Sequence, residues 1–434
     1  MNVPTAAHPG TDRLRARDVK TLLLAALGGA LEFYDFVVFV FFAIPLSQLF
    51  FPHETAPWLA QLQVFGIFAA GYLARPLGGI VMAHYGDKLG RKKMFTLSVF
   101  LMAVPTLAIG LLPVYAQVGM LAPLLLLLLR VVQGIAVGGE VPGAWVFVAE
   151  HVPARRVGFA CASLTSGLTV GILIGSLVAA GINRELTPAA VLDYGWRLPF
   201  LAGGVFGFFA VWLRRWLSET PIFEAMQSRK ELASGLPLRL VFERHLPGVL
   251  LSMLVTWMLT AAILVIILMT PSIVQSAFHL APAQAFLGNN LASFALALGC
   301  LAYGWLADRI GFARALLFGA IGLLLCSYAL YGDLRAGAAH FLVLYALTGF
   351  AVGVVGVVPA LMVSAFPPAV RFSGLSFSYN IAYALFGGLT PPLIGLLVQH
   401  FGTLAPAHYV AFTALIGIAV AACLLAARRR PMAG

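Results

Sequence analysis

Residues 86–93 read GDKLGRKK, and residues 307–314 read ADRIGFAR. Each stretch ends one long apolar run and precedes another. They share an aspartate, the base after it, a glycine three residues beyond the aspartate and a final base, at an offset of 221 residues. A second pair, PARRVGF (153–159) and PAVRFSGL (368–375), aligns Arg155 with Arg371, each three residues before a glycine. Two internal matches at nearly one offset indicate a duplicated chain, and between long apolar runs they indicate parallel helical repeats. A tight reversal between such runs favours glycine. The aspartate suits either the amino terminus of a neighbouring helix or a base on an adjacent one. Such a contact forms only when the two halves close on that face, so Gly86, Asp87, Gly90, Arg91, Arg155, Asp308 and Arg371 make a candidate latch. A plain turn that keeps its bases on one side of a membrane is the other reading of any single loop.

The chain has 434 residues, of which 61% are hydrophobic and 10% charged, a composition that excludes a soluble domain and reads as a polytopic membrane protein. Runs of about 18 or more mostly apolar residues give twelve spans: 21–48, 57–84, 94–113, 118–149, 158–182, 198–217, 247–277, 284–306, 315–332, 339–365, 372–399 and 406–427. The longest hydrophilic stretch, Arg214 to about Leu246, divides them six and six. The expected organisation is a tail (1–20), a six-helix bundle (21–217), a linker (218–246), a second bundle (247–427) and a tail (428–434). The expected fold class is therefore all-α integral membrane, twelve transmembrane helices in two parallel six-helix repeats.

A net charge of +11 would suggest nucleic acid in a soluble protein, but here the bases follow the alternation of loops. With both termini in the cytoplasm, 22 of the 27 basic residues fall on that side, which is the orientation the positive-inside rule selects. No nucleic-acid partner is expected; the surroundings are a lipid bilayer. The first run is too long for a cleaved signal peptide, carries Glu32 and Asp35, and is followed by more membrane, so it reads as a retained span. Cys161, Cys300, Cys326 and Cys423 lie within helices at no motif spacing and read as packing residues. No metal-ligand spacing, nucleotide loop or nucleophile motif is present, so neither a cofactor nor an enzyme is expected.

Five ionisable residues fall inside predicted helices: Glu32, Asp35, Arg75, Arg130 and Glu140. At about 3 kcal/mol each against lipid, they belong against a cavity or one another. Glu32 and Asp35, in LEFYDF (31–36), share a helical face one turn apart, near mid-membrane. Arg130, Gln133, Val137 and Glu140 form one stripe, beside Gly134, Gly138 and Gly139. Arg75 is flanked by Gly71, Gly78 and Gly79, small residues that permit close helix approach. From Leu246 onward the only acids are Asp308 and Asp333, both at loops. Proton chemistry therefore belongs to the first half, and the second offers neutral groups at depth: Thr256, Trp257, Tyr379, Asn380 and Tyr383.

The loop 86–93 resembles the signature of the major facilitator superfamily, matched by Gly86, Asp87, Gly90 and Arg91. LEFYDF, ARPLGG (74–79), RVVQGIAVGGE (130–140), WRLPF (196–200), ETPIFE (219–224) and SYNIAYALFGGLTPPL (378–393) are similar to its metabolite:proton symporter family. In the second loop Phe312 stands where the first has Arg91. The resemblance implies two six-helix bundles around a central site, and proton-driven secondary transport of a small organic solute by alternating access. It also implies a monomer acting in a bacterial inner membrane. The leading expectation is import of a small organic anion, a mono-, di- or tricarboxylate. Glu32, Asp35 and Glu140 are then the proton-coupling candidates, and Arg130, Arg75, Gln133, Trp257, Tyr379, Asn380 and Tyr383 the substrate-binding ones. Pairing of Arg130 with Asp35 or Glu32 is expected in the empty site, with protonation releasing Arg130 to a substrate carboxylate. A zwitterion such as proline or betaine, or export by proton antiport, is the alternative.

Overall fold

A computed structural model describes residues 16–52, 54–89, 91–214, 228 and 237–429. Within them every regular element is a helix, as a chain in hydrocarbon requires: each peptide group must find its partner inside its own segment. The long helices are α1 (Ala16–Phe41), α2 (Pro57–Leu89), α3 (Arg91–Leu111), α4 (Leu121–His151), α5 (Val157–Glu185) and α6 (Arg197–Arg214). The second set is α7 (Leu246–Ser276), α8 (Pro282–Ile310), α9 (Phe312–Arg335), α10 (Phe341–Ser364), α11 (Pro368–Phe401) and α12 (Ala405–Arg429). Ten carry stretches long and apolar enough to cross a membrane, and α3 and α6 hold shorter apolar segments, Thr96–Leu111 and Arg197–Trp212. Most of the 218–246 linker lies outside the described residues; its end is the short helix Pro237–Arg244, which packs on both α2 and α11.

Helix pairing displays the duplication. α1 packs on α5, α2 on α4 and α3 on α6; six helices later α7 packs on α11, α8 on α10 and α9 on α12. The halves meet where α5 lies along α8 and α2 along α11, two seams that exchange under the same six-helix shift. Small residues let these backbones touch. A Cβ on Gly78, Gly134 or Gly138 would collide with the main chain of Ile135, Gly71 or Arg75 across α2 and α4. Gly349 and Gly353 stand likewise against Ala292 and Gly299 across α8 and α10.

Three helices of the second half depart from α geometry at mid-depth. α7 is a π-helix over Ala262–Met269, α11 over Tyr383–Gly387, and α10 tightens to a 3-10 turn over Gly353–Gly356. In α7 the altered ladder is held by side chains: Thr270 Oγ1 donates to the Val265 carbonyl (2.8 Å) and Tyr345 Oη to the Ile266 carbonyl (2.7 Å).

The motif WRLPF fastens the first half at the face opposite the termini. Arg197 donates to the carbonyls of Gly110 (2.9 Å) and Leu112 (2.8 Å) at the end of α3, and its guanidinium lies 4.4 Å from the Trp196 ring. Tyr34 of LEFYDF donates to the Pro199 carbonyl at 3.0 Å, tying α1 to α6.

Substituting Gly78→Ala forces α2 and α4 apart at a backbone contact and should cost about 1–3 kcal/mol. The thermal midpoint of the purified variant in detergent should fall below that of Gly66→Ala, whose added Cβ meets nothing within 4 Å; equal midpoints would refute the close-packing argument.

Candidate functional site

At the face bearing both termini two polar contacts among the described residues join the halves. Asp308, at the end of α8, accepts the main-chain N–H groups of Gly158 (2.8 Å) and Phe159 (3.1 Å), the first free donors of α5. Gly158 carries no Cβ that would strike Asp308 Oδ1, and Phe312, the residue in place of a base, packs beside that glycine. The second contact joins Arg371 Nη1 of α11 to Glu150 Oε1 of α4 at 3.1 Å, both side chains almost wholly buried. Arg155 lies in the 3-10 turn Ala154–Arg156 leading into α5. In the first loop, Gly90 and the side chains of Asp87 and Arg91 lie outside the described residues; Gly86 packs on the Phe372 ring of α11.

Inside the first bundle a polar chain crosses three helices. Arg130 of α4 donates from Nη1 to Gln133 Oε1 (2.9 Å) and from Nη2 to the Phe36 carbonyl of α1 (3.1 Å). Its guanidinium is boxed by the rings of Phe36, Phe39 and Phe68 at 4.1, 4.6 and 4.8 Å. Gln133 Nε2 donates to Thr106 Oγ1 of α3 (2.8 Å), which donates to the Met102 carbonyl (2.9 Å). Asp35 is buried against Thr106 and the bare faces of Gly203 and Gly207 on α6, and neither carboxyl oxygen has a hydrogen-bond partner among the described residues.

The expected ion pair between Arg130 and Asp35 is therefore corrected. Asp35 turns toward α3 and α6, and Arg130 instead donates to an amide and a carbonyl among three aromatic faces. The side chain of Glu32, the other expected partner, lies outside the described residues. Glu140 is buried on α4, two residues beyond Gly138, whose missing Cβ admits the Arg75 carbonyl.

Between the halves lies a cavity of about 360 Å³ of atom-free space, counted with its opening to solvent. It is lined from the first half by Phe33 of α1, Trp145 of α4, and Thr165 and Thr169 of α5. The second half contributes Leu259 and Ile263 of α7, Val355 of α10, and Tyr379 and Tyr383 of α11. These are helices one, four and five of each repeat. All three helices of the second half leave α geometry beside the cavity, at Ile263, Val355 and Tyr383.

The polar groups of the lining are largely committed. Thr165 Oγ1 accepts from Trp145 Nε1 (3.2 Å) and donates to the Cys161 carbonyl (3.0 Å), and Thr169 donates to the Thr165 carbonyl (3.0 Å). What they leave toward the cavity is oxygen lone pairs. Trp145 meets Tyr379 edge-on at 5.0 Å, and Tyr379 and Tyr383 lie 4.8 Å apart. No charged side chain is among the described lining residues. Directly behind the tyrosines sits Arg75, its guanidinium 4.3 Å from the Tyr383 ring, 5.2 Å from Tyr379 and 5.6 Å from Tyr72. Arg75 Nε donates to Asn380 Oδ1 across the seam (3.3 Å), while its buried Nη2 has no partner among the described residues. Asn380 Nδ2 also donates to the Gly138 carbonyl at 2.6 Å.

Of the sequence-derived candidates, Tyr379 and Tyr383 line the cavity, Arg75 and Asn380 adjoin it, and Arg130 and Gln133 lie within the first bundle. Trp257 is elsewhere: it stacks on Phe386 at 4.1 Å and donates to Tyr409 Oη (3.0 Å) inside the second bundle. Phe33, Trp145, Thr165, Thr169, Thr106 and Glu150 escaped the sequence reading. One signal was available: the offset relating Arg155 to Arg371 carries Thr165 to position 381, between the two tyrosines.

Two halves of six helices, a central cavity and a closable face define a membrane transporter, not an enzyme. The chain belongs to the Major Facilitator Superfamily, whose family model matches residues 24–331. It is 34% identical over 417 residues to a Staphylococcus aureus (strain COL) protein named for proline/betaine transport, covering 92% of this chain and 87% of that one. It is 31% identical to the glycine betaine/proline/ectoine/pipecolic acid transporter OusA of Dickeya dadantii (96% and 85% covered). It is also 31% identical to the shikimate transporter of Escherichia coli K12 (97% and 96%). In fold it is similar to the proton:xylose symporter XylE bound to 6-bromo-6-deoxy-D-glucose, with a TM-score of 0.79 at 18% identity over 95% of this chain and 96% of that one.

Glu150→Gln removes the carboxylate charge 3.1 Å from the buried Arg371, a cost of up to about 3–5 kcal/mol that opposes closure of the terminal face. Cys300, which packs with Ala162 and Gly356 in the seam, should then react with maleimide at least about tenfold faster in membranes bearing it as the sole thiol. An unchanged rate would show that the pair does not hold the face shut.

Proposed function

We propose that this protein is a proton-coupled symporter that imports a compact zwitterion, an ammonium carboxylate of the proline or betaine kind. The observation that carries this reading is the chemistry of the cavity: four aromatic rings and hydroxyl lone pairs, with no charged side chain among the described lining residues. Ring faces and lone pairs attract an ammonium group, at about 0.5–2 kcal/mol for each well-placed ring. A solute of net negative charge brings no ammonium group to those rings. The carboxylate of a zwitterion reaches past Tyr379 and Tyr383 toward the unpartnered Nη2 of Arg75. Relatives named for betaine, proline, ectoine and pipecolic acid transport support the same chemistry.

The terminal face is cytoplasmic in this reading, supported by its 22 basic residues. The halves, 21–217 and 247–427, rock about the cavity. Asp308 on α5 and Arg371 on Glu150 hold the cytoplasmic side closed while the site faces outward. Asp35 carries the proton: a buried carboxyl with no partner is best accommodated uncharged, and its loss of the proton changes what α1, α3 and α4 hold between them. Substrate and proton then stabilise one state, which is the requirement for symport.

A second reading, import of an organic acid, is favoured by the burial of both Arg75 and Arg130 and by the relative named for shikimate.

Purified protein in liposomes containing a pH dye separates the two. Betaine or proline should acidify the lumen, and Asp35→Asn should abolish this. Trp145→Leu, removing one ring of the cavity, should weaken the apparent affinity for betaine about tenfold. Acidification by shikimate and simple carboxylates alone would transfer the conclusion to the second reading, and silence with every solute would remove both.

A further inference from the structure

We infer that Thr106 is a positioning residue for energy coupling: its hydroxyl links the protonation of Asp35 to the grip on Arg130. The inference rests on Asp35 being the proton site proposed above. The bonds form a closed circuit. Asp35 is followed by Phe36, whose carbonyl holds Arg130 Nη2 (3.1 Å); Arg130 Nη1 holds Gln133 Oε1 (2.9 Å); and Gln133 Nε2 holds Thr106 Oγ1 (2.8 Å). Thr106 in turn adjoins the Asp35 carboxyl: a Cβ on Gly203 would strike Asp35 Oδ1 and lie 3.0 Å from Thr106 Cγ2.

A threonine hydroxyl has one hydrogen to give. Here it goes to the Met102 carbonyl at 2.9 Å, and neither Asp35 oxygen has a hydrogen-bond partner among the described residues. That distribution belongs to an uncharged carboxyl. When the proton leaves, the carboxylate becomes the strongest acceptor within reach, because hydrogen bonds to an ionised acceptor are about twice as strong as those between neutral groups. The hydroxyl swings from Met102 toward Asp35, and the Oγ1 lone pair that received Gln133 Nε2 turns with it. Gln133 loses the bond that fixed its amide plane, and Arg130 loses its fixed acceptor.

The described groups around Asp35 leave this path open. From its own helix comes Tyr34, whose hydroxyl is committed to the Pro199 carbonyl; α6 presents Gly203 and Gly207; and α3 presents Thr106. The Met102 carbonyl and the Asp35 carboxyl are the two acceptors between which the one hydroxyl chooses.

The test separates proton-driven accumulation from substrate exchange at equal pH, which needs no net proton movement. It uses the full-length protein in liposomes with whichever of labelled betaine and shikimate the wild type accumulates. Thr106→Val keeps the branched shape and removes the hydroxyl. Its accumulation should fall about tenfold with exchange within about twofold of wild type, and Thr106→Ser should restore accumulation. In an Asp35→Asn background, Thr106→Val should change exchange no further. Parallel loss of accumulation and exchange in Thr106→Val, or wild-type accumulation by it, overturns the inference while leaving the proton site standing if Asp35→Asn is uncoupled. Wild-type accumulation by Asp35→Asn removes the proton site and this inference together.

Discussion

Hydrocarbon solvates neither a peptide group nor a charge, and every polar feature of this protein is arranged around that constraint. Arg130 is accommodated by a carbonyl, an amide and three rings, and Arg75 by an amide and three tyrosines. Arg371 meets the Glu150 carboxylate in the seam between the halves, and Asp308 meets the exposed donors of a helix end. The aromatic density of α1, α2 and α11 follows from the same need. Ring faces are the one apolar surface that also stabilises a cation, so they help guanidinium groups to lie deep in the bundle.

Duplication gives both halves one scaffold, but the two copies have diverged in what they hold. The first keeps the intramembrane charges and regular helices around them. The second has no acid at depth, and its three cavity-lining helices are locally wound as π or 3-10 segments. Irregular backbone is tolerated at this depth because it faces protein or a cavity, and in α7 because hydroxyls from Thr270 and Tyr345 occupy the carbonyls that the ladder releases. Charge handling and shape change are thus carried by different repeats.

The sequence made the scaffold legible to a degree that the site did not share. Twelve apolar runs locate the helices, with ends within about seven residues of those observed, because length and hydropathy are set locally by the bilayer. The repeated GD/AD loops announced a latch, and Asp308 does meet a helix amino terminus. Depth along a helix was readable too, so Tyr379 and Tyr383 stood out. Rotation about the helix axis was not readable. Asp35 and Arg130 lie in neighbouring helices of one bundle, yet Gly203 and Gly207 open a slot on α6 that draws the carboxyl away. Trp257, at cavity depth, turns into its own bundle onto Phe386. Trp145 was invisible for the opposite reason: a lone indole in an apolar helix carries no pattern until Thr165 and Tyr379 are seen around it.

The contact between Asp308 and the start of α5 differs in kind from an ion pair. Its acceptor is a side chain, but its donors are main-chain N–H groups, which every residue except proline supplies. Substitution on α5 leaves those donors in place, so long as the glycine gap remains, and only α8 can vary the strength of the contact. A transporter built this way separates the inheritance of its gate from that of the helix the gate rests on. The wall of α5 that lines the cavity, at Thr165 and Thr169, is free to change while the contact at its tip stays constant.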